Sequence, residues 1–60
     1  MANILVIDDE NSIRRSLKEI LEFENHTVDE AEDGEAGYNM ALKNNYDVIL
    51  SEIKLPKVEG

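Results

Sequence analysis

The sequence has no cysteine and a single histidine, His26. Disulfide bonds are therefore excluded, and so is a zinc site built from cysteine and histidine ligands. A chain of 60 residues has room for one domain, taken here as 1–60, and such a domain buries only about 60% of the surface that its unfolded form exposes. Small domains compensate with disulfides, metals or oligomerisation, so we expect this chain to self-associate.

Basic residues are also few, since 6 Lys and Arg face 14 Asp and Glu, for a formal net charge of -8. Nucleic-acid binding relies on clustered basic residues, so this composition argues against a direct nucleic-acid partner. The sequence also lacks the roughly 20 consecutive apolar residues of a membrane span. Its apolar opening is too short, and too acidic afterwards, for a signal peptide. We expect a cytoplasmic protein that does not contact a membrane.

The first half of the sequence predicts a strand followed by a helix. Residues 4–7 form an uninterrupted apolar run, which is typical of a strand buried on both faces. Ser12 is the expected N-cap of the helix. The apolar positions of this helix recur at helical spacing, and they are Ile13, Leu17, Ile20 and Leu21. The charged positions expected on its opposite face are Arg14, Arg15, Lys18, Glu19 and Glu22.

The rest of the sequence predicts a strand, a second helix and a third strand. Residues 27–32 form a strand with acidic residues inside it, a pattern that favours the edge of a sheet. Asp33-Gly34 supplies a turn and a helix cap, and residues 36–43 form the helix. The third strand covers residues 47–53 and ends before Leu55-Pro56, because proline disfavours continuation of either element.

This β-α-β-α-β order predicts an α/β fold with a parallel three-stranded sheet and its first strand in the centre. Open α/β sheets place their sites at the carboxyl ends of strands where the strand order reverses. Asp8, Asp9 and Glu52 should converge there, and such carboxylates suit a Mg²⁺ site. Two alternatives stay open: an acidic chain places acids in its loops by chance, and Asp9 or Glu10 stabilises the following helix N-terminus electrostatically.

Three segments together resemble the receiver domain of bacterial response regulators, closest to the nitrogen-regulation type. The first is ILVIDDE at residues 4–10, the second is EDGEA at residues 32–36, and the third is YDVILSEIKLPKVEG at residues 46–60. The resemblance implies the βαβαβ half of a flavodoxin-like fold, a role in two-component signalling, and a sensor histidine kinase as the family's partner. It further implies that Asp8 and Asp9 are the metal-binding acids and that the Lys54 carbonyl is a backbone metal ligand.

Glu52 occupies the place of the aspartate that accepts phosphate in this family. Glutamate sets its carboxylate about 1.5 Å further from the backbone, and a displacement of that size can slow a positioned transfer by about 100-fold. The Ser/Thr and Lys that contact the phosphoryl group in this family belong to strands beyond Gly60, and Lys57 cannot be assumed to replace that lysine. We therefore expect no phosphotransfer and no enzymatic activity.

The third strand has a fully apolar centre formed by Val48, Ile49 and Leu50. At the edge of a three-stranded sheet, such a strand is a template for pairing with another chain. We expect a homodimer in which third strands pair about a twofold axis to give a continuous sheet ordered 2-1-3-3′-1′-2′. Exchange of helices or strands between the two chains is the alternative geometry.

The leading functional hypothesis is a truncated, non-phosphorylatable receiver fragment that self-associates and keeps an acidic Mg²⁺ pocket. A second hypothesis is a signalling module in which Glu52 imitates the phosphorylated state and controls an attached or partner output domain. A third is an enzyme-like remnant that binds Mg²⁺ and small phosphates. We interpret His26 as a solvated turn residue and not a phosphodonor, and Ser51 as an ordinary strand residue.

Overall fold

The computed structural model describes residues 1–52. Its elements, in chain order, are β1 (Asn3–Ile7), α1 (Asn11–Phe23), β2 (Thr27–Ala31), α2 (Gly34–Lys43) and β3 (Val48–Ser51). The predicted β-α-β-α-β order is confirmed. The third strand is shorter than the predicted 47–53, because Asp47 and Glu52 lie outside it. Ile53, Leu55-Pro56 and the Lys54 carbonyl lie outside the described residues. No helix among residues 1–52 has the length and apolarity needed to cross a membrane.

The sheet is parallel and ordered β2-β1-β3, as predicted. Ile4 of β1 lies between Val28 of β2 and Val48 of β3, and the pairing continues without a break to Ile7. Because all three strands run in one direction, their carboxyl ends meet at one edge of the sheet. That edge carries the acidic residues that follow β1 and β3.

β1 is buried on both of its faces, which accounts for its uninterrupted apolar sequence. Ile4 and Val6 pack with Val28 on the side that α1 covers through Leu17 and Leu21. Leu5 and Ile7 pack with Ala31 on the other side, and the residues that cover them are Ala36, Met40, Ala41 and Tyr46. The hydrophobic core is therefore two layers built around one strand.

The prediction that Ser12 caps α1 is wrong. The helix begins at Asn11, its N-cap is Glu10, and the Glu10 side chain makes no capping hydrogen bond. The Asp8 carboxylate instead accepts the Glu10 backbone N–H at 2.9 Å, which turns the chain into the helix earlier than a Ser12 cap would allow. Ser12 lies within the first turn, where its carbonyl accepts the Ser16 hydroxyl.

The predicted orientation of α1 is only partly correct. Leu17 and Leu21 face the sheet, but Arg14, expected on the solvent face, is only 9% exposed. Ile13 and Ile20, expected in the core, are both exposed. The buried face of the helix therefore runs through positions 14, 17 and 21, because Arg14 has polar partners beneath the helix that offset the cost of its burial.

α2 begins two residues before its predicted start, and the Asp33 carboxylate caps it by accepting the Ala36 N–H at 2.7 Å. The helix lies very close to β1 at Gly37. A Cβ at that position would lie 2.8 Å from Ile7 Cγ1 and closer still to Ile7 Cδ1. Only glycine fits at this crossing without displacing Ile7.

β3 is the least covered strand. Val48, Ile49 and Leu50 are 42%, 42% and 38% exposed, and neither α1 nor α2 packs on β3. From the register with β1, Val48 and Leu50 lie on the α1 side of the sheet, and Ile49 lies on the α2 side. Both faces of this apolar strand are therefore accessible within residues 1–52.

We predict that Gly37→Ala lowers the free energy of unfolding by about 1–3 kcal/mol, because the added methyl group overpacks the contact with Ile7. Urea denaturation followed by circular dichroism measures the change. Asn39→Ala, at an exposed position of the same helix, is the matched control and should not destabilise the protein. Equal stability of Gly37→Ala and the native chain would contradict the close approach of α2 to β1.

Candidate functional site

The candidate site lies where β1 and β3 end side by side. Asp8 follows the last residue of β1, and Glu52 follows the last residue of β3. The Glu52 backbone N–H donates to the Ile7 carbonyl at 3.1 Å, and the Asp8 N–H donates to the Ala31 carbonyl of β2 at 3.1 Å. Strand pairing thus brings the backbones of the two predicted acids together, as the parallel topology required.

Asp8 is the buried acid of the site, with 3% of its surface exposed. One carboxylate oxygen, Oδ1, accepts the Glu10 N–H, and no buried side-chain N or O atom among residues 1–52 lacks a hydrogen-bond partner. A buried carboxylate without such partners would be costly. The Asp8 side chain is therefore held in one place by the turn that it helps to form.

Asp9 and Glu52 are both exposed. Within residues 1–52, no three Asp, Glu or His side chains are grouped closely enough to hold one metal ion. The structure therefore does not gather the side chains of Asp8, Asp9 and Glu52 into a compact trio, although it places them at one edge. Mg²⁺ commonly uses one or two protein carboxylates and several waters, so the donor atoms present at this edge suit that ion.

Arg14 lies beneath the site, and our sequence-based prediction missed it. Its Nη1 donates to the Asp8 carbonyl at 2.7 Å, in a buried hydrogen bond. Its Nε donates to Glu30 Oε1 of β2 at 3.0 Å, and its Nη2 donates to Asn11 Oδ1. A sequence signal existed, because position 14 precedes Leu17 by three residues and Leu21 by seven and so shares their helix face.

Glu30 carries the counter-charge to Arg14. Lys18 Nζ also lies 3.6 Å from Glu30 Oε2. Partial burial opposes ionisation of Glu30, but the hydrogen bond from Arg14 and the positive charges of Lys18, Arg14 and Arg15 outweigh it and lower the pKa of the carboxyl group. Glu30 is thus ionised near neutral pH and holds α1 against β2.

The opposite edge of the sheet has its own polar contacts, away from the acids. Tyr46 donates its hydroxyl hydrogen to Asp29 Oδ2 at 2.6 Å. Burial, and then the hydrogen bond and charge of Asp29, raise the pKa of Tyr46 to about 12. These two residues help line a cavity of about 340 Å³ that also borders Asn3 at the start of β1. This contact joins β2 to the segment before β3.

Two residues set aside in the sequence analysis have defined positions. His26 lies between α1 and β2, as expected, but it is half-buried and its Nδ1 accepts the Ala2 N–H at 3.1 Å. Its interpretation as a solvated turn residue is therefore wrong, because the chain start folds back onto it. Ser51 is the last residue of β3, in agreement with its assignment to a strand.

We predict that Glu30→Gln removes part of the pH dependence of stability. Since the pKa of Glu30 is lowered from 4.5 on folding, its ionised form stabilises the native chain above about pH 4.5, and this contribution is lost as pH falls below that value. At pH 7 the substitution should cost about 1–2 kcal/mol. Urea denaturation at pH 7 and pH 3 measures it; Glu24→Gln, at an exposed position, is the control. An equal loss at both pH values would contradict the assignment.

Comparison with known proteins identifies the family to which this fold belongs. The response regulator receiver domain family matches residues 4–60. Transcriptional regulatory protein SrrA of Staphylococcus aureus is 46% identical over 57 residues, which cover 95% of this chain and 24% of SrrA.

Solved structures give the same answer. Chemotaxis response regulator CheY4 of Vibrio cholerae superposes with a TM-score of 0.86 at 35% identity, over 100% of this chain and 50% of CheY4. Response regulator TrrA of Thermotoga maritima, solved in complex with Mg(2+)-BeF, superposes with a TM-score of 0.85 at 41% identity, over 98% of this chain and 51% of TrrA. The chain thus spans about half the length of these structures, and it belongs to the response regulator receiver domain family.

Proposed function

We propose that this chain is a receiver module that binds Mg²⁺ at its acidic edge, is not phosphorylated at position 52, and self-associates through β3. Receiver domains are signalling modules and generally not enzymes, and their family partner is a sensor histidine kinase. The observation that carries the proposal is the position of Glu52, whose backbone N–H is bonded to Ile7 directly beside Asp8.

Mg²⁺ binding is supported by the donor chemistry and by one relative. Asp8 and Asp9 provide carboxylate oxygens at the end of β1, and TrrA was solved with Mg(2+)-BeF. A bound Mg²⁺ ion supplies positive charge that offsets the repulsion between neighbouring carboxylates. Asp8, already fixed by its bond from Glu10, would serve as the ordered ligand, and Asp9 and Glu52 would complete the coordination with water.

The absence of phosphotransfer is supported by the length of the Glu52 side chain. In-line transfer depends on the position of the attacking oxygen, and glutamate moves that oxygen about 1.5 Å outward relative to aspartate. Glu52 also carries only about one negative charge, against roughly 1.5–2 for a phosphoryl group at pH 7. It can therefore imitate a phosphorylated receiver only in part, which is the basis of the alternative role as a phosphomimetic signalling module.

We predict that Mg²⁺ titration at millimolar concentrations, followed by NMR, shifts the amide signals of residues 8–10 and 52–54. Asp8→Asn should weaken this binding about 10-fold or more, because it removes the ordered carboxylate. Glu35→Gln removes the same charge from an exposed position on α2 and should leave Mg²⁺ affinity unchanged. Absence of any response in the native chain would refute the metal site.

Incubation with acetyl phosphate, a small-molecule phosphodonor, tests whether Glu52 is phosphorylated. With Mg²⁺ present, the native chain should acquire no phosphoryl group by intact mass spectrometry. A stable adduct mapped to Glu52 would refute the non-phosphorylatable assignment and favour phosphorylation-based signalling. Glu52→Gln keeps the side-chain length and removes the charge, so loss of binding to an output domain in that variant alone would favour the phosphomimetic role.

Self-association is supported by exposed apolar residues on the α1 side of the sheet. Arg14 and Lys18 contact Glu30 on β2, so the opposite flank of α1 is directed toward β3. That flank carries Ile13 and Ile20. Together with Val48 and Leu50 of β3, these exposed residues define what we call the β3 apolar surface.

The charge pattern favours β3 over β2 as the contact. β2 carries Asp29 and Glu30, and charged residues on an edge strand discourage pairing. The β3 apolar surface carries no charge, although the whole chain has a net charge of -8. Pairing of β3 with its twofold copy would let two negatively charged chains meet at neutral side chains.

We predict that the native chain sediments as a dimer and that Val48→Lys shifts it to monomer, because a lysine on an edge strand places charge in the contact. Leu42→Lys is the control, since Leu42 is also apolar and exposed, at 68% against 42% for Val48, but lies on α2, and this variant should remain dimeric. Circular dichroism verifies that both variants fold. A folded native chain that sediments as a monomer at micromolar concentration would contradict the proposal.

A further inference from the structure

Arg14 joins three segments of the chain at one guanidinium group. Its three donor nitrogens reach the end of β1 at the Asp8 carbonyl, the first turn of α1 at Asn11, and β2 at Glu30. Arginine suits this position because its planar group presents donors in fixed directions, whereas a lysine ammonium is a point charge on a flexible stem. No other residue among those described makes hydrogen bonds to all three of these segments.

The bond to the Asp8 carbonyl is the informative one. That carbonyl belongs to the peptide that links Asp8 to Asp9, so the hydrogen bond from Arg14 fixes the peptide between two acids of the site. In the same segment, Asp8 Oδ1 accepts the Glu10 N–H. Besides the bond from the Asp8 N–H to Ala31, the segment 8–10 is therefore held by a bond to its own side chain and by a bond to a guanidinium group anchored on β2.

Stability alone does not account for an arginine here. A buried ion pair gains little over well-packed apolar residues of similar volume, because desolvation of the charges offsets their attraction. The face of α1 that contains Arg14 also contains Leu17 and Leu21, so an apolar residue at position 14 would continue the packing. What arginine adds is a defined geometry for the segment that carries the acids.

We propose that Arg14 is a positioning residue for the acidic site: it holds the Asp8–Asp9 peptide so that their carboxylates meet a divalent cation. The assignment of that cation rests on the proposed function. Residues that orient metal ligands typically contribute 10–100-fold to metal affinity. The direction of the change in Mg²⁺ affinity separates positioning from simple electrostatics. Removal of a positive charge near a cation site should by electrostatics alone strengthen Mg²⁺ binding, whereas loss of positioning should weaken it.

The test compares Arg14→Met, Arg14→Lys and Arg15→Met. Arg14→Met should weaken Mg²⁺ binding about 10–100-fold. Arg14→Lys should weaken it as well, because lysine keeps the positive charge but lacks the planar guanidinium group with its fixed donor directions. Arg15→Met removes the same charge from an exposed neighbouring position and should leave Mg²⁺ affinity unchanged or slightly higher. Unchanged affinity in a folded Arg14→Met chain would overturn the proposal.

A second measurement is made without metal, so that failure of the Mg²⁺ site is distinguishable from failure of this inference. In Arg14→Met, amide hydrogen exchange at Asp8 and Glu10, whose N–H groups are hydrogen-bonded, should accelerate about 10-fold beyond the change at the core amide of Leu5. Uniform acceleration at all three amides would mean that Arg14 acts only on global stability, and would overturn the positioning role whatever the Mg²⁺ titration gives.

If the Arg14→Met variant does not fold, the Asn11→Ala variant tests the positioning role by the same hydrogen-exchange measurement. It removes one of the three partners of the guanidinium group at an exposed position. A several-fold acceleration of exchange at Asp8 and Glu10, with Leu5 unchanged, supports the positioning role. Exchange identical to that of the native chain at these amides would count against it.

Discussion

Burial of β1 on both faces is the constraint on which the rest of the structure depends. The strand has β2 on one side, β3 on the other, α1 above it and α2 below it. Residues 4–7 therefore carry no charge. The first acid is the buried Asp8, which follows the end of the strand and whose carboxylate can there accept the Glu10 N–H. The same burial requires glycine at position 37, because α2 could not otherwise lie against Ile7. The position of the acidic edge thus follows from packing at the centre of the sheet.

The backbone of this domain could be predicted from short-range patterns, but the distant partner of Arg14 could not. An unbroken apolar run, a helical repeat and Asp33-Gly34 depend on neighbours within a few residues, and each predicted its element correctly. Arg14 is buried because of Glu30, which lies 16 residues away in sequence, and no local pattern reports such a partner. The predicted rotation of α1 about its axis was wrong for the same reason. The helix turns Arg14 toward the sheet, and this leaves Ile13 and Ile20 exposed.

The candidate site was predictable in its location and less so in its details. Parallel topology places the ends of β1 and β3 together, so the proximity of Asp8 and Glu52 in the backbone follows from element order alone. Side-chain directions do not follow, because an exposed carboxylate such as that of Glu52 has no packing to select its rotamer. The resemblance to the family places Glu52 where the family has its phosphate-accepting aspartate, and the consequence of that replacement is part of the proposed function.

The two edge strands of the sheet, β2 and β3, are chemically unequal, and this difference would limit how many chains could join if they paired as proposed. β2 contains Asp29 and Glu30, whereas β3 contains valine, isoleucine and leucine. Contact between two β3 edges would use the apolar edge of each chain and leave acidic strands at both ends of the joined sheet. Further addition would then meet mutual repulsion, so growth would stop at a closed pair instead of continuing into a fibre.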